Sequence, residues 1–135
     1  MRRSQNSRPL VLVVDDDPRH GQLLNLLEEN LAIKVFNVHS CEEALSAVKE
    51  NSFDLILMDY SMPEMNGVDC TKCLKEIFAS TEMLPIIAVT GHASDDIKQI
   101  CLESGMDDFL AKPFTINALQ AMIDKHLESS DEPSF

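Results

Sequence analysis

Five short apolar runs, at residues 10–14, 33–38, 54–58, 84–90 and 107–111, alternate with five stretches of helical periodicity, and this alternation constrains the fold most. Each run is long enough for a strand and too short for a helix. A strand that is apolar throughout, with no in-and-out alternation, is covered on both faces, as in a parallel sheet. Alternating strand and helix patterns of this kind build a parallel sheet with helices on both sides. The run at 33–38 is more mixed in polarity and belongs nearer an edge.

The helices carry their own start signals. Asp17-Pro18 reads as N-cap and first helical residue, opening a stripe of Leu23, Leu24, Leu27 and Leu31. Ser40-Cys41-Glu42-Glu43 is a capping box, with Cys41, Ala44, Leu45 and Val48 inward. After a polar loop with Pro63 and Asn66-Gly67 comes a helix with Cys70, Cys73, Leu74 and Ile77 on one face. Ser94 caps a helix carrying Ile97, Ile100 and Cys101 that ends near Gly105. Thr115 caps the last, with Leu119, Met122, Ile123 and Leu127 inward.

At 135 residues the chain is one domain with room for a real core. It divides into a loose tail over 1–9, the domain over 10–127 and an acidic tail over 128–135. The basic opening is followed by only five apolar residues, too few for a secretory signal, and no run approaches membrane-spanning length. With 23 acids against 11 Lys and Arg, the net charge of −12 opposes direct binding to nucleic acid. Cys41, Cys70, Cys73 and Cys101 all fall in helices, which suits reduced thiols in a cytosolic compartment. Cys70-x-x-Cys73 lies on an apolar stripe without further ligands and reads as core packing rather than as a redox or metal pair.

Polar groups of fixed type end four of the apolar runs: Asp15 and Asp16, Asp59, Thr90, and Lys112. In an open α/β sheet the carboxyl ends of the strands share one edge, where ligands bind. Three carboxylates gathered there repel, by roughly 4 kcal/mol per pair at ~4 Å and an effective dielectric of 20, so the arrangement calls for a cation. Hard oxygen donors with room left for water suit Mg²⁺. A metal, a lysine and a hydroxyl around one carboxylate make a phosphoryl-transfer arrangement with Asp59 as nucleophile. Taken singly, each residue reads as a strand-end acid, a hydroxyl or a snorkelling lysine; their joint occurrence carries the case. His20, His39 and His126 read as structural or exposed, Asp95-Asp96 and Asp107-Asp108 as solvated helix-start and turn acids. His92, two residues past Thr90, borders the site and is a candidate for tuning water access.

The segments Val-Val-Asp15-Asp16-Asp-Pro, Leu-Met-Asp59-Tyr-Ser-Met-Pro63-Glu-Met-Asn-Gly67, Ala-Val-Thr90-Gly91 and Gly105-Met-Asp-Asp-Phe109-Leu-Ala-Lys112-Pro113 resemble the receiver domain of response regulators in two-component signalling. The resemblance runs over about residues 10–127 and implies a flavodoxin-like (βα)5 fold with sheet order 2-1-3-4-5. It implies that Asp59 accepts a phosphoryl group from a phosphohistidine. Mg²⁺ would be held by Asp16, Asp59 and the Ser61 carbonyl, with Asp15 reaching it through water. Lys112 would pair with the phosphoryl group, Thr90 would move inward to it, and Phe109 would swing from exposed to buried. The Lys112–Pro113 bond would be cis. Residues 101–113 resemble receivers attached to hybrid histidine kinases, which implies a histidine kinase or histidine phosphotransfer domain as partner. It also implies a cytoplasmic place, at the membrane where a parent kinase carries it, and no enzyme activity beyond the domain's own phosphorylation and dephosphorylation. Asn66 stands where the family usually has Asp, and Phe109 where Tyr is common. A phosphatase of the haloacid-dehalogenase type needs a second acid two residues after the nucleophile, where this chain has Ser61. A pseudo-receiver would have lost part of the acidic set or the lysine.

Overall fold

The computed structural model describes residues 8–17, 21–60, 66–77, 84–91 and 94–128. Five strands form one sheet: β1 (Leu10–Val14), β2 (Lys34–Val38), β3 (Leu55–Asp59), β4 (Ile86–Thr90) and β5 (Asp108–Ala111). They pair in the order β2-β1-β3-β4-β5, all in parallel, as the alternation and the family resemblance predict. β3 and β4 are buried along their whole length, and β2, at an edge, shows the mixed exposure its polarity implies. Pro9 belongs to the sheet as well, since its carbonyl accepts the Lys34 N–H at 2.8 Å.

Because side chains alternate along a strand, each strand feeds two cores. Leu12, Val14, Ile56, Met58, Ile86 and Ala88 pack on one face, against helices α2 (Cys41–Glu50), α3 (Gly67–Ile77) and α4 (Asp95–Glu103). Val11, Val13, Leu55, Leu57, Ile87 and Val89 pack on the other, against α1 (Gly21–Leu31) and α5 (Ile116–Ile123). A fully buried side chain such as Leu12 or Ile56 contributes about 1.5–3 kcal/mol relative to exposure.

The caps at Ser40, Ser94 and Thr115 form, each side-chain oxygen accepting the N–H three residues on. Glu43 completes the first, although its carboxylate accepts from His39 N–H at 2.8 Å rather than from Ser40. α4 closes on Gly105, whose φ of +109° is a left-handed value that glycine adopts freely. α5 runs on through a π-helical turn, Asp124–Glu128. Asp17 is described, but Pro18, His20, the Leu23 side chain, Pro63, residues 1–7 and residues 129–135 lie outside the described residues.

Several inward assignments change. Ile77 and Ile100 are 39% and 45% exposed and Cys73 is half-exposed, whereas Ala47, Val68 and Thr71 are buried. α3 and α4 are turned so that Leu74 and Cys101 reach the sheet. The expectation of four reduced thiols fails: Cys41 on α2 and Cys70 on α3 are joined by a disulfide, with Cα atoms 5.6 Å apart. The two cysteines lie on different helices that meet over one face of the sheet, a contact that helical periodicity does not encode.

Asp107 is exposed, as expected, but Asp108 is a half-buried strand residue rather than a solvated turn acid, and both carboxylates are engaged. Asp107 Oδ2 accepts Ile86 N–H at 2.9 Å, and Asp108 pairs with Lys125 at 2.8 Å and His126 at 2.9 Å. Asp107 just precedes β5 and Asp108 begins it, beside donors supplied by β4 and by the last helical turn. No helix among the described residues is long and apolar enough to cross a membrane.

Candidate functional site

The parallel register delivers the polar strand ends to one place. β1 ends at Val14 opposite Met58, so Asp15 follows beside Asp59, the last residue of β3. Asp59 pairs with Val89, and Thr90 pairs with Ala111, which puts Lys112 just beyond. One ligand oxygen from each of Asp15, Asp16 and Asp59 lies within 4.8 Å of the others. Lys112 Nζ stands 3.7 Å from Asp59 Oδ1. Asp15 and Asp59 are buried, Asp16 and Lys112 half-buried, and Thr90 is buried.

Backbone hydrogen bonds hold this cluster. Asp15 N–H donates to the Val38 carbonyl at 3.0 Å, and Asp15 Oδ1 accepts Asp17 N–H at 2.9 Å. His39 Nδ1 lies 3.3 Å from the Asp15 carbonyl oxygen, a contact the sequence reading passed over. Lys112 N–H donates to the Thr90 carbonyl at 2.7 Å, and the Lys112–Pro113 bond is cis. Beside the charges, a cavity of about 490 Å³ is walled by Leu24, Leu27, Leu57, Val89 and Phe114. The apolar wall borders the Asp59–Lys112 pair on one side, while the Lys112 side chain stays partly exposed.

Two glycines flank Asp59 unequally. A Cβ at Gly67, the first residue of α3, would meet the Asp59 carbonyl oxygen at 2.5 Å, and Gly67 N–H donates to Tyr60 O at 2.9 Å. A Cβ at Gly91, just after Thr90, would meet nothing within 4 Å among the described residues.

The carboxylate set fits a small divalent cation. Octahedral ligands of Mg²⁺ at ~2.1 Å stand about 3 Å apart when adjacent and ~4.2 Å when opposite, separations that oxygens within 4.8 Å of one another can reach by side-chain adjustment. Phe109 is half-buried on β5 with Lys98 Nζ 5.5 Å from its ring centroid, a neighbour not foreseen from the sequence. Ser61 and His92 lie outside the described residues.

The model of the Response regulator receiver domain family matches residues 11–124. The chain belongs to that family. This receiver domain is 39% identical over 117 residues to the sensor protein GacS of Pseudomonas syringae pv. syringae, covering 85% of the chain and 13% of GacS. It is 40% identical over 116 residues to the transcriptional regulatory protein CpxR of Escherichia coli K12, covering 84% of the chain and 47% of CpxR. The receiver domain of the sensor histidine kinase PA1611 from Pseudomonas aeruginosa PAO1, solved with magnesium in its active-site cleft, superposes with a TM-score of 0.77. That match is at 31% identity and covers 90% of this chain and 98% of the other. The chain therefore spans a small part of the sensor kinases it matches. It is a receiver domain of two-component signalling with the flavodoxin-like topology.

Proposed function

We propose that this receiver domain takes a phosphoryl group from a phosphohistidine onto Asp59. The observation that carries this reading is the cluster itself: Asp59 at the end of the central strand, Asp15 and Asp16 within 4.8 Å, and Lys112 at 3.7 Å. Asp15, Asp16 and Asp59 would hold Mg²⁺, as does the cleft of the PA1611 receiver, with Ser61 as a further expected ligand. Bound there, the cation neutralises charge on the carboxylates and the incoming phosphoryl oxygens. An Asp59 carboxylate oxygen attacks phosphorus, the P–N bond to the imidazole breaks and the P–O bond to Asp59 forms. The imidazole leaves and is neutral once protonation is rebalanced with solvent. The Lys112 ammonium pairs with a phosphoryl oxygen, and the cavity beside it limits water.

The same geometry supports a switch through Thr90 and Phe109. Thr90 is buried next to Asp59 on β4, so its hydroxyl is placed to donate to the phosphoryl group after a short inward movement. Phe109, half-buried across the neighbouring pair, follows by repacking against α4, and His92 tunes water access. The response is a population shift, biased by the hydrogen bond that Thr90 gains only in the active arrangement. The functional unit on this reading is residues 10–127. Its partner is a histidine kinase or histidine phosphotransfer domain in the cytoplasm, where a parent kinase carries the domain. On this reading the domain catalyses only its own phosphorylation and dephosphorylation.

With Mg²⁺ and an acyl-phosphate donor, intact mass should rise by one phosphoryl group, and Asp59→Asn should abolish the rise. Full labelling of that variant would overturn the assignment.

A further inference from the structure

The Cys70-x-x-Cys73 spacing suggests a pair along one helix, yet residues three apart hold their Cβ atoms about 5–6 Å apart. A disulfide needs about 3.5–4.5 Å. Cys70 is instead bonded to Cys41, 29 residues away and on another helix. Cys73 and Cys101 remain free thiols.

We propose that Cys41 and Cys70 form a reversible thiol–disulfide site that sets how rigidly the Asp15 and Asp59 carboxylates are held. The functional meaning of that rigidity rests on the reading of Asp15 and Asp59 given above. Position is the first argument. Cys41 opens α2, two residues past His39, whose ring contacts the Asp15 carbonyl, and three past Val38, which accepts Asp15 N–H. Cys70 lies one turn into α3, whose first residue, Gly67, is pressed against the Asp59 carbonyl. The bond therefore joins a segment that contacts the Asp15 backbone to a helix whose start abuts the Asp59 backbone.

The second argument is that both redox states fit the same core. Cys41 and Cys70 are 6% and 0% exposed among Leu12, Val14, Met58 and Leu74. A free buried thiol behaves there as a small apolar side chain, so breaking the bond opens the tether without unfolding the domain. A bridge needed to stabilise a small core is not called for at this chain length.

The chemistry is thiol–disulfide exchange with a low-molecular-weight dithiol as reductant. The Cys41–Cys70 S–S bond breaks and two thiols form. The reductant supplies two electrons and two protons and closes to its own disulfide. Oxidation by a low-molecular-weight disulfide is the reverse.

The test uses the full chain equilibrated with oxidised glutathione or with dithiothreitol, then alkylated in denaturant and weighed. The oxidised form should carry two alkyl groups and the reduced form four. Without metal, reduction should speed amide exchange at Asp15, Cys41, Gly67 and Cys70. It should weaken Mg²⁺ binding about fivefold or more, the low end of ordinary coupling between sites. In amide exchange and Mg²⁺ binding, Cys41→Ala and Cys70→Ala should match the reduced parent in either buffer, while Cys73→Ala should follow the parent. Four alkylated thiols after glutathione treatment, or amide exchange independent of redox state, would overturn the proposal. Redox-dependent exchange with Mg²⁺ bound by neither form would support the thiol site and instead remove the metal reading of the acidic cluster.

Discussion

At the amino-terminal edge of the sheet, Asp54, Asp107 and Asp108 each meet donors. Asp54 Oδ2 accepts Leu10 N–H at 2.8 Å, tying the start of β3 to the start of β1. Asp107 does the same between β5 and β4, accepting Ile86 N–H. Asp108 accepts its neighbour Phe109 N–H and pairs with Lys125 and His126. At the carboxyl-terminal edge, Asp15, Asp16 and Asp59 face one another, with Lys112 beside them. Identical side chains at opposite edges of one sheet, and in β3 at opposite ends of one strand, thus do different work. Acids that mainly meet backbone amides fix the strand ends in place, whereas acids gathered on one another make the cluster proposed above to hold a cation. Residue type does not separate the two groups; the strand end each occupies does.

This contrast can be broken in order of effect. Mg²⁺ at about 100 times its Kd should stabilise the parent by ~2.7 kcal/mol, and Asp16→Asn should lose most of that gain at the same concentration, as thermal unfolding with and without metal would show. Equal gains would mean that Asp16 is no part of the cation site. Next, Asp107→Ala should cost about 1–3 kcal/mol in urea unfolding, by leaving Ile86 N–H unpaired, while phosphoryl labelling stays at the parent's extent. A smaller gain of opposite sign, up to about 1 kcal/mol, is expected for metal-free Asp16→Asn through relief of repulsion. A loss there would show that the carboxylates are not crowded.

The smallest effect is on pH dependence. Burial pulls the Asp108 carboxyl upward, but hydrogen bonds from Lys125, His126 and Phe109 N–H outweigh it and hold the group below its ordinary value of 3.8. A depressed folded value contributes stability that is complete above the unfolded value and is lost as pH falls through the folded one. Asp108→Asn should therefore flatten the acid limb of the stability profile below about pH 4. An unchanged limb would remove Asp108 from the structural set.

The sheet was legible because β1, β3 and β4 are apolar without interruption, and only burial on both faces explains that. The site was legible because its residues sit at the ends of those same runs. The bonding of Asp107 and Asp108 was not legible because their partners, Ile86, Lys125 and His126, stand 17 to 21 residues away in sequence. A pair of adjacent acids after a glycine looks like a turn until the neighbouring strand is in place. The Cys41–Cys70 bond was illegible for the same reason, since it depends on how α2 and α3 lie over the sheet. Ile77 and Ile100 mark the weakness of helical periodicity in short amphipathic helices, where rotation by part of a turn moves an apolar residue outward.

Gly67 and Gly91 give the end of β3 the mechanics of a beam braced on one flank. On the α3 side, a single added carbon would strike the Asp59 carbonyl, so the peptide there has no room to recoil. On the β4 side, the space around Gly91 is open among the described residues. Added bulk is therefore refused at the α3 flank and accepted after β4, an asymmetry of clearance on the two sides of the acidic edge.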